Sequence, residues 1–216
     1  LVNMKQEPGG TTYTRLEEAR KATLRARDLT QQLLTFSKGG APVRKTISIG
    51  EFVRESATFV LSGSKAKGQF IIPGDLWTTD VDEGQIGQVI HNLIMNADQS
   101  MPQGGTITVQ CENSTIETGA PLPLAPGNYI KISIRDQGIG IPDKQRSRIF
   151  DPYFTTKQNG SGLGLATAYS IVKKHDGHIA VESSPDAGSS FSIYLPASLN
   201  KLPAREAIKE TLPAGQ

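Results

Sequence analysis

Apolar residues recur along this chain with two periods, and the switch between them sets out its elements. From Arg15 to about Ser37 the steps are three and four. Leu16, Ala19, Ala22, Ala26, Leu29, Leu33 and Phe36 share one stripe, and helix formers such as Glu17, Lys21 and Gln31 fill the gaps. Gly39-Gly40 and Pro42 end the run. The spacing predicts one long helix, preceded by a loop over residues 1–14 that holds Pro8-Gly9-Gly10.

From Thr46 the pattern alternates quickly. Ile47 and Ile49 predict a short strand. Residues 50–61 predict a helix with Phe52, Val53, Ala57 and Val60 inward, and 69–72 and 76–81 read as strands. Asp82 with Gln85 three positions on fits a capping box. It opens a helix that turns Ile86, Val89, Ile90, Leu93, Ile94 and Ala97 to one side and ends at 102–105. Residues 106–111 and 129–136 are rich in β-branched side chains and predict strands. Between them, 117–128 holds Pro121, Pro123 and Pro126 and reads as an exposed loop. Residues 143–150 predict a short helix, and Ser161 leads into another that runs through Lys174 to a stop at Gly177. Residues 178–183 and 189–195 predict an antiparallel pair around Ser184-Pro185-Asp186-Ala187-Gly188. The expected class is α+β: a two-layer α/β sandwich, its open sheet largely antiparallel with helices over one face, preceded by one long helix.

Composition narrows the setting. A chain of 216 residues holds one sizeable domain and an appendage. A net charge of +2 gives no ground for a nucleic-acid partner. The single Cys111 rules out an intrachain disulfide and fits a reducing compartment. No apolar run reaches membrane-spanning length and no signal peptide is visible, so the expectation is cytoplasmic, with a membrane-anchored parent protein left open.

Three stretches carry candidate chemistry. Asn92 and Asn96 lie four apart on one helix face, flanked by apolar positions. Amide oxygens are hard, neutral ligands suited to Mg²⁺. Asp136 ends an apolar strand and opens the turn Asp136-Gln137-Gly138-Ile139-Gly140, where a carboxylate can accept from an amine while glycines admit backbone close to a ring. Gly160-Ser161-Gly162-Leu163-Gly164-Leu165 precedes a helix, whose first N–H groups form an anion site. It lacks the Gly-Lys-Ser/Thr ending of a Walker A loop. Alone, each has a plain reading: two polar surface residues, a strand-end turn, a flexible loop.

Their order, with Ile149-Phe150-Asp151-Pro152-Tyr153-Phe154-Thr155-Thr156-Lys157 between the last two, resembles the N, G1, F and G2 boxes of the sensor histidine kinase catalytic domain, of the GHKL type. The resemblance spans roughly residues 46–197. It implies an ATP-binding domain at 46–198, with a tail or linker at 199–216. It also implies that 1–45 is part of a dimerisation and phosphotransfer hairpin, its helix being the second of the pair. By resemblance Asn96 holds Mg²⁺, with Asn92 assisting at the metal or phosphates. Asp136 selects adenine, with Gly138 and Gly140 at the ring. Thr155, Thr156 and Lys157 reach the terminal phosphate, and Phe150 and Phe154 anchor the lid. Residues Gly160, Ser161, Gly162, Leu163, Gly164 and Leu165 close over the phosphates. The implied partners are ATP and ADP, a second copy of the parent protein, and a response-regulator receiver domain.

Two departures matter. Many family members carry a basic residue three positions after the metal asparagine, where this chain has Gln99; Asp176 stands where glycine is frequent. The phosphoacceptor histidine is also missing: His91, His175 and His178 all read as structural, and none precedes Arg15. The expectation is a piece of a histidine kinase that binds Mg-ATP and does not phosphorylate itself. The alternatives are a nucleotide-binding or docking module without kinase activity, or another ATPase of the same fold. The clamp-type ATPases place a glutamate where Asn92 stands, and an amide cannot take a proton from water.

Overall fold

The computed structural model describes residues 12–20, 23, 41–157 and 160–200. Residues 12–20 are helical, so the helix already includes residues 12–14, ahead of the expected start at Arg15. No glycine or proline stands between Gly10 and Arg15 to interrupt it. The remainder of the expected long helix, Thr23 excepted, falls outside the described residues, as does 201–216.

The elements of the main unit are β1 (Lys45–Ser48), α1 (Ile49–Leu61), β2 (Lys67–Ile71), β3 (Thr78–Val81), α2 (Glu83–Gln99), β4 (Thr106–Ile116), β5 (Gly127–Arg135), α3 (Asp143–Arg146), α4 (Gly164–Lys174), β6 (His178–Ser183) and β7 (Ser189–Pro196). Five strands form one sheet in the order β2-β4-β5-β7-β6, and only the β2–β4 pair is parallel. β1 and β3 form a separate antiparallel pair.

Period-two alternation decides what each sheet face does. Ile107, Val109 and Cys111 of β4, Ile130, Ile132 and Ile134 of β5, and Phe191, Ile193 and Leu195 of β7 are buried. They share one core with Ile49, Val53 and Ala57 of α1, the predicted stripe of α2, and Ala168, Ile171 and Val172 of α4. The intervening residues make polar cross-strand pairs, among them Glu112–Lys131 at 2.9 Å and Ser133–Ser192 at 3.1 Å. This is the expected sandwich.

Several boundaries shift. Ile49 opens α1 and does not belong to β1; it is fully buried, the site a core-facing helix residue takes. The helix expected over 143–150 stops at Arg146, because Ile149 and Phe150 turn inward to pack on the core. The last long helix begins at Gly164, after the glycine-rich turn. β4 runs five residues past Cys111. The loop after it is less exposed than its prolines predict: Leu122 and Leu124 are half-buried against Ile116, Tyr129 and Tyr194.

The Asp82 cap of α2 forms by halves. Its side chain accepts the Gln85 N–H at 3.1 Å, as expected, but Gln85 does not reciprocate. The Asp82 N–H is taken by His175 Nε2 at 3.1 Å, and His175 Nδ1 lies 2.9 Å from the Ile171 carbonyl. An Nε2 that accepts fixes the proton on Nδ1, so this buried imidazole is neutral and ties the start of α2 to the end of α4. Burial pulls its pKa below the ordinary histidine value. Beside it, Asp176 adopts φ +57°, the left-handed conformation that explains why glycine suits that position.

Candidate functional site

A cleft of about 850 Å³ opens between α2, the turn after β5, residues 154–157 and 160–162, and the start of α4. Asn92, Asn96, Asp136, Gly140, Thr155, Thr156, Lys157, Gly160, Ser161, Gly162, Gly164 and Leu165 all line it. Gly138 and Leu163 do not; they stand behind the wall.

Asp136 is almost fully buried, and its Oδ1 is held by the protein. The Gly138 N–H donates at 2.8 Å and the Ser189 N–H at 3.3 Å. The Ser100 hydroxyl lies 3.1 Å from Oδ1 and 2.7 Å from the Ala97 carbonyl, so its one proton serves either. Among the described residues no donor reaches Oδ2, which leaves an oriented acceptor at the cleft. The turn that carries Asp136 is stitched to the β6–β7 hairpin: Asp136 N–H to Ser189 O at 2.9 Å, Ile141 N–H to Ser183 Oγ at 2.8 Å, and Asp186 N–H to Ile139 O at 2.8 Å. Glycine is required twice here. A Cβ on Gly140, at φ +69°, would sit 2.0 Å from the Ser184 carbonyl oxygen, and one on Gly138 would sit 2.0 Å from Ser100 Oγ.

Asn92 is buried, and its Nδ2 donates to the Gly164 carbonyl at 3.0 Å. That bond joins α2 to the first residue of α4 and leaves the Asn92 amide oxygen unbonded among the described residues. Asn96 lies one turn further on, with Oδ1 accepting from Lys157 Nζ at 3.1 Å. Lys157 Nζ also reaches Gln99 Oε1 at 2.7 Å. Partial burial lowers the Lys157 pKa below the ordinary lysine value, and the Asp136 carboxylate opposes that shift. Thr155 shapes the turn before it, its Oγ1 accepting the Lys157 N–H at 3.1 Å. The donor chemistry of Asn92 and Asn96, two neutral oxygens on one face, fits a hard divalent ion that keeps several waters.

The glycine-rich turn meets the phenylalanine-rich segment through Tyr153 N–H to Gly162 O at 3.0 Å. Leu163 is fully buried at the N-cap of α4 and brings no side-chain acceptor, so the first turn of α4 is not capped by its own N-cap side chain. Phe150 and Phe154 pack on the main core, with Phe150 against Tyr169 at 5.3 Å and the Arg148 guanidinium 4.8 Å from the Phe154 ring centre.

Other cleft residues were not legible beforehand. His91 comes from α2 and Ser100 from its C-cap, Ile139 and Ile141 from the turn, Gln145 and Ile149 from the α3 region, and Ser189 and Phe191 from β7. Ser100 and Ser189 meet Asp136 from far along the chain, and no local pattern marks them. The helical period of α2 does place Met95 and Gln99 near Asn92 and Asn96.

Over 190 residues the chain is 33% identical to "Sensor kinase CckA" of Brucella abortus (strain 2308), covering 85% of this chain and 20% of that protein. It shares 26% identity and a TM-score of 0.59 with the structure of "Mycobacterial sensor histidine kinase MprB", over 72% of this chain and 98% of that one. The full-length ShkA structure, in complex with AMPPNP, has the same fold at a TM-score of 0.70 and 21% identity, over 89% of this chain and 40% of that one. The chain spans a fifth of the length of CckA and about two fifths of that of "Sensor histidine kinase ZraS" of Escherichia coli (strain K12). The model of the "Histidine kinase-, DNA gyrase B-, and HSP90-like ATPase" family matches residues 81–199, which hold the cleft from Asn92 to Phe191. With the asparagine pair, the buried aspartate and the glycine turns gathered within that match, this chain belongs to the histidine kinase-, DNA gyrase B- and HSP90-like ATPase family.

Proposed function

We propose that this chain is the ATP-binding catalytic part of a two-component sensor histidine kinase, which transfers the γ-phosphoryl group of ATP to a histidine other than its own three. The observation that carries this reading is the convergence on one cleft of Asp136 Oδ2, the oxygens of Asn92 and Asn96, and the start of α4.

Asp136 Oδ2 accepts from the exocyclic amine of adenine, with Ile139, Ile141 and Phe191 as apolar walls for the ring. A guanine base offers a carbonyl at that place and meets a second acceptor. Asn92 and Asn96 hold Mg²⁺, which when bound neutralises phosphate charge. Thr155, Thr156, Lys157 and the N–H groups around Gly162 and Gly164 bind phosphate oxygens.

On this reading none of the three histidines is the phosphoacceptor. His175 is buried with both ring nitrogens engaged, and His178 Nδ1 is buried. His91 lines the cleft as a neighbour of Asn92. The acceptor, the second copy of the parent protein and the response-regulator receiver domain complete the reaction, and the setting is the cytoplasm. Among the described residues no helix is long and apolar enough to cross a membrane.

Photo-crosslinking with an azido-adenine nucleotide tests the binding half: ATP should compete strongly and GTP weakly. Incubation with γ-labelled ATP tests the other half, with no acid-labile phosphate expected on this chain. Equal competition by GTP, or phosphohistidine on the chain, would refute the respective half.

A further inference from the structure

Gln99 and Lys157 do something together that the proposed function leaves unused. Asn96 and Gln99 lie one helical turn apart, and both turn an amide oxygen to the same ammonium, at 3.1 and 2.7 Å. Two neutral carbonyl-type oxygens make a seat for a cation. One of the two, Asn96 Oδ1, is also the oxygen assigned to the divalent ion. Mg²⁺ binds oxygen at about 2.1 Å and requires near-octahedral surroundings. An ammonium in contact with the same oxygen blocks that approach and repels the dication. Gln99 Oε1 carries no such conflict and is the closer of the two contacts.

We propose that Lys157 and the divalent ion alternate on Asn96 Oδ1, with Gln99 as the positioning residue that keeps Lys157 at the site in either case. This rests on the reading of Asn96 as a metal ligand. When the ion arrives, the ammonium leaves Asn96 but stays on Gln99, where its freed N–H bonds can turn to phosphate oxygens. The cation absent at position 99 is thereby supplied from the segment after Phe154, and metal entry is coupled to the placement of that segment. Linkage makes the coupling reciprocal: whatever strengthens the Lys157–Asn96 bond weakens metal binding to the same extent.

The test is Mn²⁺ affinity, read by water-proton relaxation at saturating ADP, in the wild-type chain, Lys157→Met and Gln99→Leu. ADP is used because it lacks the γ-phosphate that would otherwise hold Lys157. Lys157→Met should bind Mn²⁺ about tenfold more tightly, the scale of one hydrogen bond to a charged group. That change alone would also follow from removing a nearby positive charge. Gln99→Leu separates the two, since the charge remains but its anchor is lost: about threefold tighter Mn²⁺ binding is expected, and unchanged or weaker binding overturns the proposal. Thermal unfolding of each variant confirms that it is folded. ADP binding to the wild-type chain in saturating Mg²⁺ is measured first. If ADP does not bind, the nucleotide reading fails, and the same three proteins are compared with Mn²⁺ alone. Tighter binding in both variants would then still support the shared seat, and no Mn²⁺ binding at all would refute it.

Discussion

Asp136 shows how far a single residue fixes the chemistry. Its Oδ1 is held by the N–H groups of Gly138 and Ser189, which leaves Oδ2 for the cleft. In Asp136→Asn the amide oxygen keeps those donors, so the NH₂ group turns to the cleft and an acceptor becomes a donor. Nucleotide affinity should fall by about 1.5–3 kcal/mol, the range for hydrogen bonds to charged groups, with little change in melting temperature; titration and thermal unfolding on one sample check both. Gly140→Ala should act the other way round, through stability. Its Cβ would meet the Ser184 carbonyl oxygen at 2.0 Å in a left-handed conformation, so urea unfolding should show a loss of about 2 kcal/mol or more. Asn92→Asp removes the donor to the Gly164 carbonyl, and about 1–2 kcal/mol should be lost at neutral pH by the same measurement. The asparagines and the aspartate were legible because each sits in a short motif. Ser100 and Ser189 were not, since only the folded chain brings them to Asp136.

Among the elements, α2 does most to arrange the site, and its two ends obey different rules. The helix period placed its apolar face correctly, and Asp82 caps it as the sequence implies. The second half of the cap was illegible because its donor is met by His175, ninety-three positions along the chain. That bond requires a neutral ring, and protonation would set two donors against each other. The folded-state pKa of His175 is lowered, by burial first, with nearby Arg44 adding to the shift and the Ile171 carbonyl, Asp82 and Asp176 opposing it. A histidine with a depressed folded pKa gives stability that is present above its unfolded pKa and is lost as pH falls toward the folded value. With 6.5 as the unfolded reference, unfolding free energy should decline on acidification below about pH 6.5, and His178, also lowered, adds to the decline. His175→Phe should remove its own share of that slope and cost about 1–3 kcal/mol at pH 7.5 by leaving the Asp82 N–H unpaired. Chemical unfolding across pH 5.5–7.5 in both proteins reads this directly; an unaltered slope in the variant would mean that His175 is not the group responsible.

At the scale of the whole molecule, strand alternation and helix period foretold an α+β sandwich with helices over one sheet face, and the structure has it. What they did not foretell is the parallel edge pair β2–β4, the separate β1–β3 pair and the return of Leu122 and Leu124 onto the sheet. Pairing partners far apart in sequence leave no local mark, and a proline-rich loop that buries two leucines looks like one that buries none. The family match covers the cleft-bearing residues 81–199, so the central claim is nucleotide binding in that cleft. Calorimetric titration of the chain with a non-hydrolysable ATP analogue, with and without Mg²⁺, tests it most directly. One-to-one, magnesium-dependent binding that is lost in Asp136→Ala is expected. A folded wild-type chain that binds nothing in either condition, or binding that survives Asp136→Ala unchanged, would contradict it.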